Sequence, residues 1–123
     1  MFYFYITGLP GKHNKVETYC ENVLKHFFGN RIKRPVDIEL RFEKNCKPAV
    51  GYCHGDHEHI VIEISKHDIN DVKLSRDDMM LTLAHELVHA KQLIRKEKIN
   101  HSLSECEAYG IEQELFDLYW SKN

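Results

Sequence analysis

The sequence predicts one α+β domain over residues 1–123, a small mixed or antiparallel sheet packed on helices. Three observations predict it. Short strand-like runs fill the first half, and long helical runs dominate the second. The chain has 123 residues with 42% hydrophobic content, enough for one core and too little for a separate recognition domain.

Residues 2–7, Phe-Tyr-Phe-Tyr-Ile-Thr, are strand formers that end at the turn-like Gly8-Leu9-Pro10-Gly11. A helix should follow, because Val16, Tyr19, Cys20, Val23, Leu24, Phe27 and Phe28 keep helical spacing and Gly29-Asn30 suits a C-terminal cap. Residues 35–42, 49–53 and 59–65 read as strands. The first alternates Val36, Ile38, Leu40 and Phe42 with Asp37, Glu39 and Arg41, so one sheet face should be wet. The third leads toward the next helix and is assigned to peptide docking as an edge strand, beside its plainer reading as a core strand.

That next helix opens at Ser75, a capping residue, with Asp77 and Asp78 at the positive end of its dipole. No glycine or proline interrupts it from Asp77 to about Lys98, and Met80, Leu83, Ala84, Leu87 and Val88 recur every three to four residues. A last helix is expected over residues 102–120, with serine caps and an apolar set at Ala108, Ile111, Leu115, Leu118 and Tyr119.

The chemistry lies at His85-Glu86-Leu87-Val88-His89, the helical zinc signature H-E-x-x-H. Positions i and i+4 project about 40° apart and about 6 Å apart along the axis, so both imidazoles can converge on one ion. Glu86 then stands beside that face, within reach of an activated water. Without metal, a half-buried histidine pair would need other partners for its ring nitrogens.

A catalytic zinc site takes three protein ligands and keeps one position open. The third ligand should come from the last helix. With Glu105 at 0°, the apolar set centres near about 300°, which leaves Glu105 about 60° away and Glu107 about 100° away. Glu105 is therefore the preferred ligand, and Glu107 fits better as a capping residue, since Ser102-x-x-Glu105 and Ser104-x-x-Glu107 both match a capping box. Glu112, at about 340°, also points inward, as a ligand or as a partner that orients one histidine.

Thr82 to Gln92 and Glu105-Cys106-Glu107-Ala108 resemble the active-site helix and the E-x-E-A element of gluzincin-type metallopeptidases, more narrowly of small SprT-like or phage-encoded zincin-like proteins. The resemblance covers the second half of the chain. It implies a zincin-like fold whose C-terminal helix carries the third ligand, Glu105, and a zinc metallopeptidase with Zn2+ held by His85, His89 and Glu105. Glu86 would be the general base. Several gluzincins carry Asp or Asn four residues after the ligand glutamate, where this chain has Tyr109. Tyr109, His101 and Tyr52 are candidates to stabilise an oxyanion.

The cluster Cys53-His54-Gly55-Asp56-His57-Glu58-His59 packs several possible ligands together, yet Cys20 and Cys46 are isolated, and a polar hairpin explains Gly55-Asp56 without metal. Cys106 beside Glu105 is a lesser alternative ligand. A formal charge of −2 argues against strong nonspecific nucleic-acid binding; Lys91, Arg95, Lys96 and Lys98 read as a helix end that complements its dipole. No secretory or membrane-spanning segment is visible, and four cysteines without framework spacing suit reduced thiols. The expected setting is the cytoplasm of a bacterium or of a cell hosting a phage. The expected partner is a peptide or protein substrate. Two alternatives remain: a catalytically silent zincin that binds a host protein, and a zinc hydrolase of a non-peptide substrate.

Overall fold

The computed structural model describes residues 1–121. In chain order these form β1 (Phe2–Thr7), α1 (Asn14–Phe28), β2 (Val36–Glu43), β3 (Gly51–Gly55), β4 (His59–Ser65), α2 (Arg76–Ile94) and α3 (His101–Phe116), followed by a π-helical turn over Asp117–Ser121. The strands make one mixed sheet in the order β1-β2-β4-β3. The first three of that order run parallel, and β3 runs antiparallel to β4 as a hairpin. The expected small mixed sheet on helices is therefore present.

Alternation sets the layers. Val36, Ile38, Leu40 and Phe42 of β2 and Ile60, Ile62 and Ile64 of β4 are buried on the helix side, while Tyr3 and Tyr5 of β1 stand exposed on the other. Register follows: Ile38 pairs with Ile60 and Leu40 with Ile62, so both strands present their apolar side chains to one layer. The other face carries Asp37, Glu39, Arg41 and Glu63, and Arg41 pairs there with Glu39 at 2.8 Å.

The helix α2 lies between the sheet, α1 and α3, which makes it far more buried than a one-sided stripe. Met79, Met80, Leu83, Ala84, Leu87, Val88, Ala90 and Ile94 are all buried. Ser75 caps it by accepting from the Asp78 amide at 3.0 Å. Tyr19 of α1 donates to the Met80 carbonyl at 2.8 Å, and Trp120 donates to Asp77 at 3.0 Å, so both flanking segments are tied to its first turns. No helix among the described residues is long and apolar enough to cross a membrane.

Several expectations are corrected here. The 59–65 segment is no edge strand: β4 is paired on both sides, and the edge belongs to β3, which begins at Gly51 rather than Ala49. The helix α2 stops at Ile94 instead of Lys98 because Lys96 takes a left-handed φ of 56° and its amide bonds back to Leu93 at 3.0 Å, ending the helix without a glycine. Asn100, not a serine, caps α3, accepting from the Leu103 amide at 2.9 Å. Of the apolar set expected on α3, Ala108 and Leu115 are buried, whereas Leu118 is exposed.

Candidate metal centre

Two turns of α2 and the first turns of α3 bring three side chains to one point. His85 Nε2 lies 3.3 Å from His89 Nε2 and 3.3 Å from a Glu105 carboxylate oxygen, and His89 Nε2 lies 2.6 Å from the other oxygen. Four ligands about 2.0–2.1 Å from a tetrahedral ion stand about 3.3–3.4 Å apart; the His85–His89 and His85–Glu105 separations match that spacing, whereas the 2.6 Å between His89 and Glu105 is a hydrogen-bond contact. Among the described residues, His85, His89 and Glu105 are the group whose donor atoms could share one ion, all within 4.8 Å of one another.

The far sides of both rings are engaged as well. Glu112 Oε1 lies 3.4 Å from His85 Nδ1, on the side of that ring away from the His89–Glu105 cluster. His89 Nδ1 faces Gln92 Oε1 at 2.9 Å and Ser104 Oγ at 3.0 Å. Gln92 follows His89 by three residues on the same helix face, a spacing visible in the sequence once His89 is taken as a ligand.

Glu86 is buried beside this group. Desolvation, then the like charges of Glu105 and Glu112, push its carboxyl up to about 8. Three carboxylates thus crowd two imidazoles, and among the described residues no lysine or arginine pairs with Glu86, Glu105 or Glu112. A divalent cation is the charge this donor set accommodates. The residues present could hold one metal ion.

Glu107 points elsewhere. Its carboxylate lies 2.6 Å from Lys91 Nζ and accepts from Gln92 at 2.9 Å. Lys91 is only 2% exposed and also pairs with Glu97 at 3.0 Å, so it belongs to the α2–α3 junction instead of to a solvated basic helix end. Arg95 stays exposed, with its guanidinium over Phe28 and donating to the Phe27 carbonyl.

A cleft of about 1000 Å³ opens over the centre, lined on one side by Val50, Gly51, Tyr52 and Cys53 and on the other by Leu93, Ile99, His101 and Tyr109. All three oxyanion candidates, Tyr109, His101 and Tyr52, line it. Tyr109 is 69% exposed with its ring 4.5 Å from that of His85, which puts a phenol at the mouth of the cleft. Asp56 accepts from the amides of Glu58 and His59 at 2.8 Å each, so its carboxylate serves the β3–β4 turn. Cys106 is exposed.

The edge strand β3 passes directly over Glu86. A Cβ at Gly51 would meet Thr82 Cγ2 at 2.8 Å and Glu86 Oε2 at 3.0 Å, so only glycine lets strand and helix approach this closely. The Ser65 amide bonds to the Val50 carbonyl and the Asp56 amide to the His59 carbonyl. By antiparallel alternation, the amides and carbonyls of Gly51 and Cys53 face outward along the open edge. A glycine inside a strand pattern is the signal that could have singled out Gly51 from sequence.

No protein-family model matches the chain, and no curated protein matches it.

Proposed function

We propose that this chain is a zinc-dependent metallopeptidase with His85, His89 and Glu105 as ligands and Glu86 as general base. The observation that carries the reading is the spacing of the three donors, with a buried carboxylate beside them and an unpaired strand edge above. A zinc ion held there would acidify a bound water and polarise a carbonyl.

The chain's own groups divide the remaining work. Glu86 takes the proton of the attacking water and delivers it to the departing amine, a task suited to a carboxyl whose affinity for protons is raised by burial. Glu112 and the Gln92–Ser104 pair hold the ligand rings in place. Tyr109 stands where a phenol can donate to the carbonyl oxygen as negative charge develops. The outward amides and carbonyls of Gly51 and Cys53 offer main-chain hydrogen bonds to an extended peptide, so substrate docks on β3 in place of the β4 segment expected from sequence.

Elemental analysis of purified protein should find about one zinc per chain, and Glu105→Ala should lower metal affinity far more than Glu107→Ala. A metal-free, inactive wild type that cannot be loaded with zinc would overturn the reading.

A further inference from the structure

A polar relay runs behind His89, from the buried ammonium of Lys91 to the ring itself. Lys91 Nζ holds both oxygens of Glu107, at 2.7 and 2.6 Å. Glu107 in turn accepts from Gln92 Nε2 at 2.9 Å, and the Ser104 carbonyl accepts from the same nitrogen at 3.2 Å. With two acceptors facing its nitrogen, the Gln92 amide has one orientation. Turned over, its oxygen would confront a carboxylate and a carbonyl with no proton between them.

The oxygen of Gln92 is therefore the atom that faces His89 Nδ1, at 2.9 Å. Ser104 Oγ donates its single proton to that oxygen at 2.6 Å, so toward Nδ1, 3.0 Å away, it presents a lone pair. Both neighbours of Nδ1 are acceptors, and the arrangement is satisfied only when Nδ1 carries hydrogen. The in-plane lone pair of a neutral ring then lies on Nε2, the atom that faces His85 and Glu105.

We propose that Glu107, Gln92 and Ser104 are positioning residues that hold a proton on Nδ1 of His89 and thereby leave Nε2 free to bind metal. The consequence for zinc rests on the function proposed above, whereas the place of the proton does not.

Nitrogen-15 NMR of the metal-free protein at pH 8 should find a hydrogen-bonded proton on His89 Nδ1, and Glu107→Ala should lose that signal. A wild-type His89 with a bare Nδ1 overturns the proposal, whatever the protein does with zinc. Zinc affinity, read by competition with a chromophoric chelator, should fall about tenfold or more in Glu107→Ala and in Gln92→Leu. Glu97→Gln removes another partner of Lys91 without touching Gln92, and should leave affinity unchanged. Equal losses in Glu97→Gln and Glu107→Ala would assign Glu107 to junction stability alone and overturn the proposal. If the wild type fails to bind zinc, the proposed function falls and the NMR result still decides where the proton sits.

Discussion

Glu112 Oε1 lies 3.4 Å from Nδ1 of His85, on the side of the ring opposite the cleft-facing Nε2. Glu112 lies seven residues after Glu105 on α3, and Tyr109 lines the cleft. Glu112→Ala should weaken zinc binding about 10- to 100-fold, and Glu112→Gln, which keeps an acceptor, should weaken it less. Chelator competition measures both.

Glu86→Gln should lower turnover by about 10²- to 10⁴-fold while leaving zinc content and thermal stability near wild type. The carboxamide keeps the shape and loses the proton acceptor. Peptide hydrolysis assayed beside metal analysis checks the pair; hydrolysis that survives the substitution would remove Glu86 from the role of base, and a biological activity that survives without hydrolysis would move the function to binding.

Gly51→Ala should destabilise the fold by about 1–3 kcal/mol, because the new Cβ meets Thr82 at 2.8 Å and Glu86 at 3.0 Å. The displaced groups include Glu86, the proposed general base, so activity should fall by more than the loss of folded protein explains. Denaturant unfolding together with kcat for the folded fraction separates the two effects.

Alkaline pH should destabilise the fold through its buried thiols. Burial raises the Cys20 thiol first, with Glu17 adding to it, and burial likewise raises Cys53. A folded value above the unfolded one favours the fold below the unfolded value, and that stabilisation is lost as pH rises past it. Above about pH 9 the unfolded thiol ionises and the folded one does not, so Cys20 should contribute a loss of up to about 1.4 kcal/mol per pH unit. Urea unfolding from pH 8 to 10.5 should show the slope, reduced in Cys20→Ala.

The legible parts of this chain are those where one periodicity dominates. Alternation in β2 and the 3–4 spacing in α1 translated directly into burial, because each of those elements has its partner layer on one side, whereas α2 is covered on several sides and buries more than its stripe. The pairing order of the strands was not legible. Placing β4 inside and β3 at the edge depends on which strand the hairpin adds to, and the short β3 carries no apolar alternation to reveal it. In the candidate site, the H-E-x-x-H spacing and the helical wheel brought forward His85, His89 and Glu105, which the structure gathers at one point. The junction roles of Gln92, Ser104 and Lys91 were not legible because they arise where two helices cross. Local signals assign a serine in a first turn to capping and a lysine near a helix end to the dipole, and neither signal registers the neighbouring helix.

Lys91 gives the crossing of α2 and α3 a fixed index. An ammonium 2% exposed, matched by Glu97 and Glu107, tolerates only one axial setting of the two helices. A slip of one turn, about 5.4 Å, would carry Glu107, the counterion on α3, away from the charge. Glu105 rides two residues ahead of Glu107 on the same helix, so its height opposite His85 and His89 is gauged by a charge on the far side of the junction. Lengthening the α2–α3 connection should therefore leave that height unchanged, whereas neutralising Lys91 should let it drift.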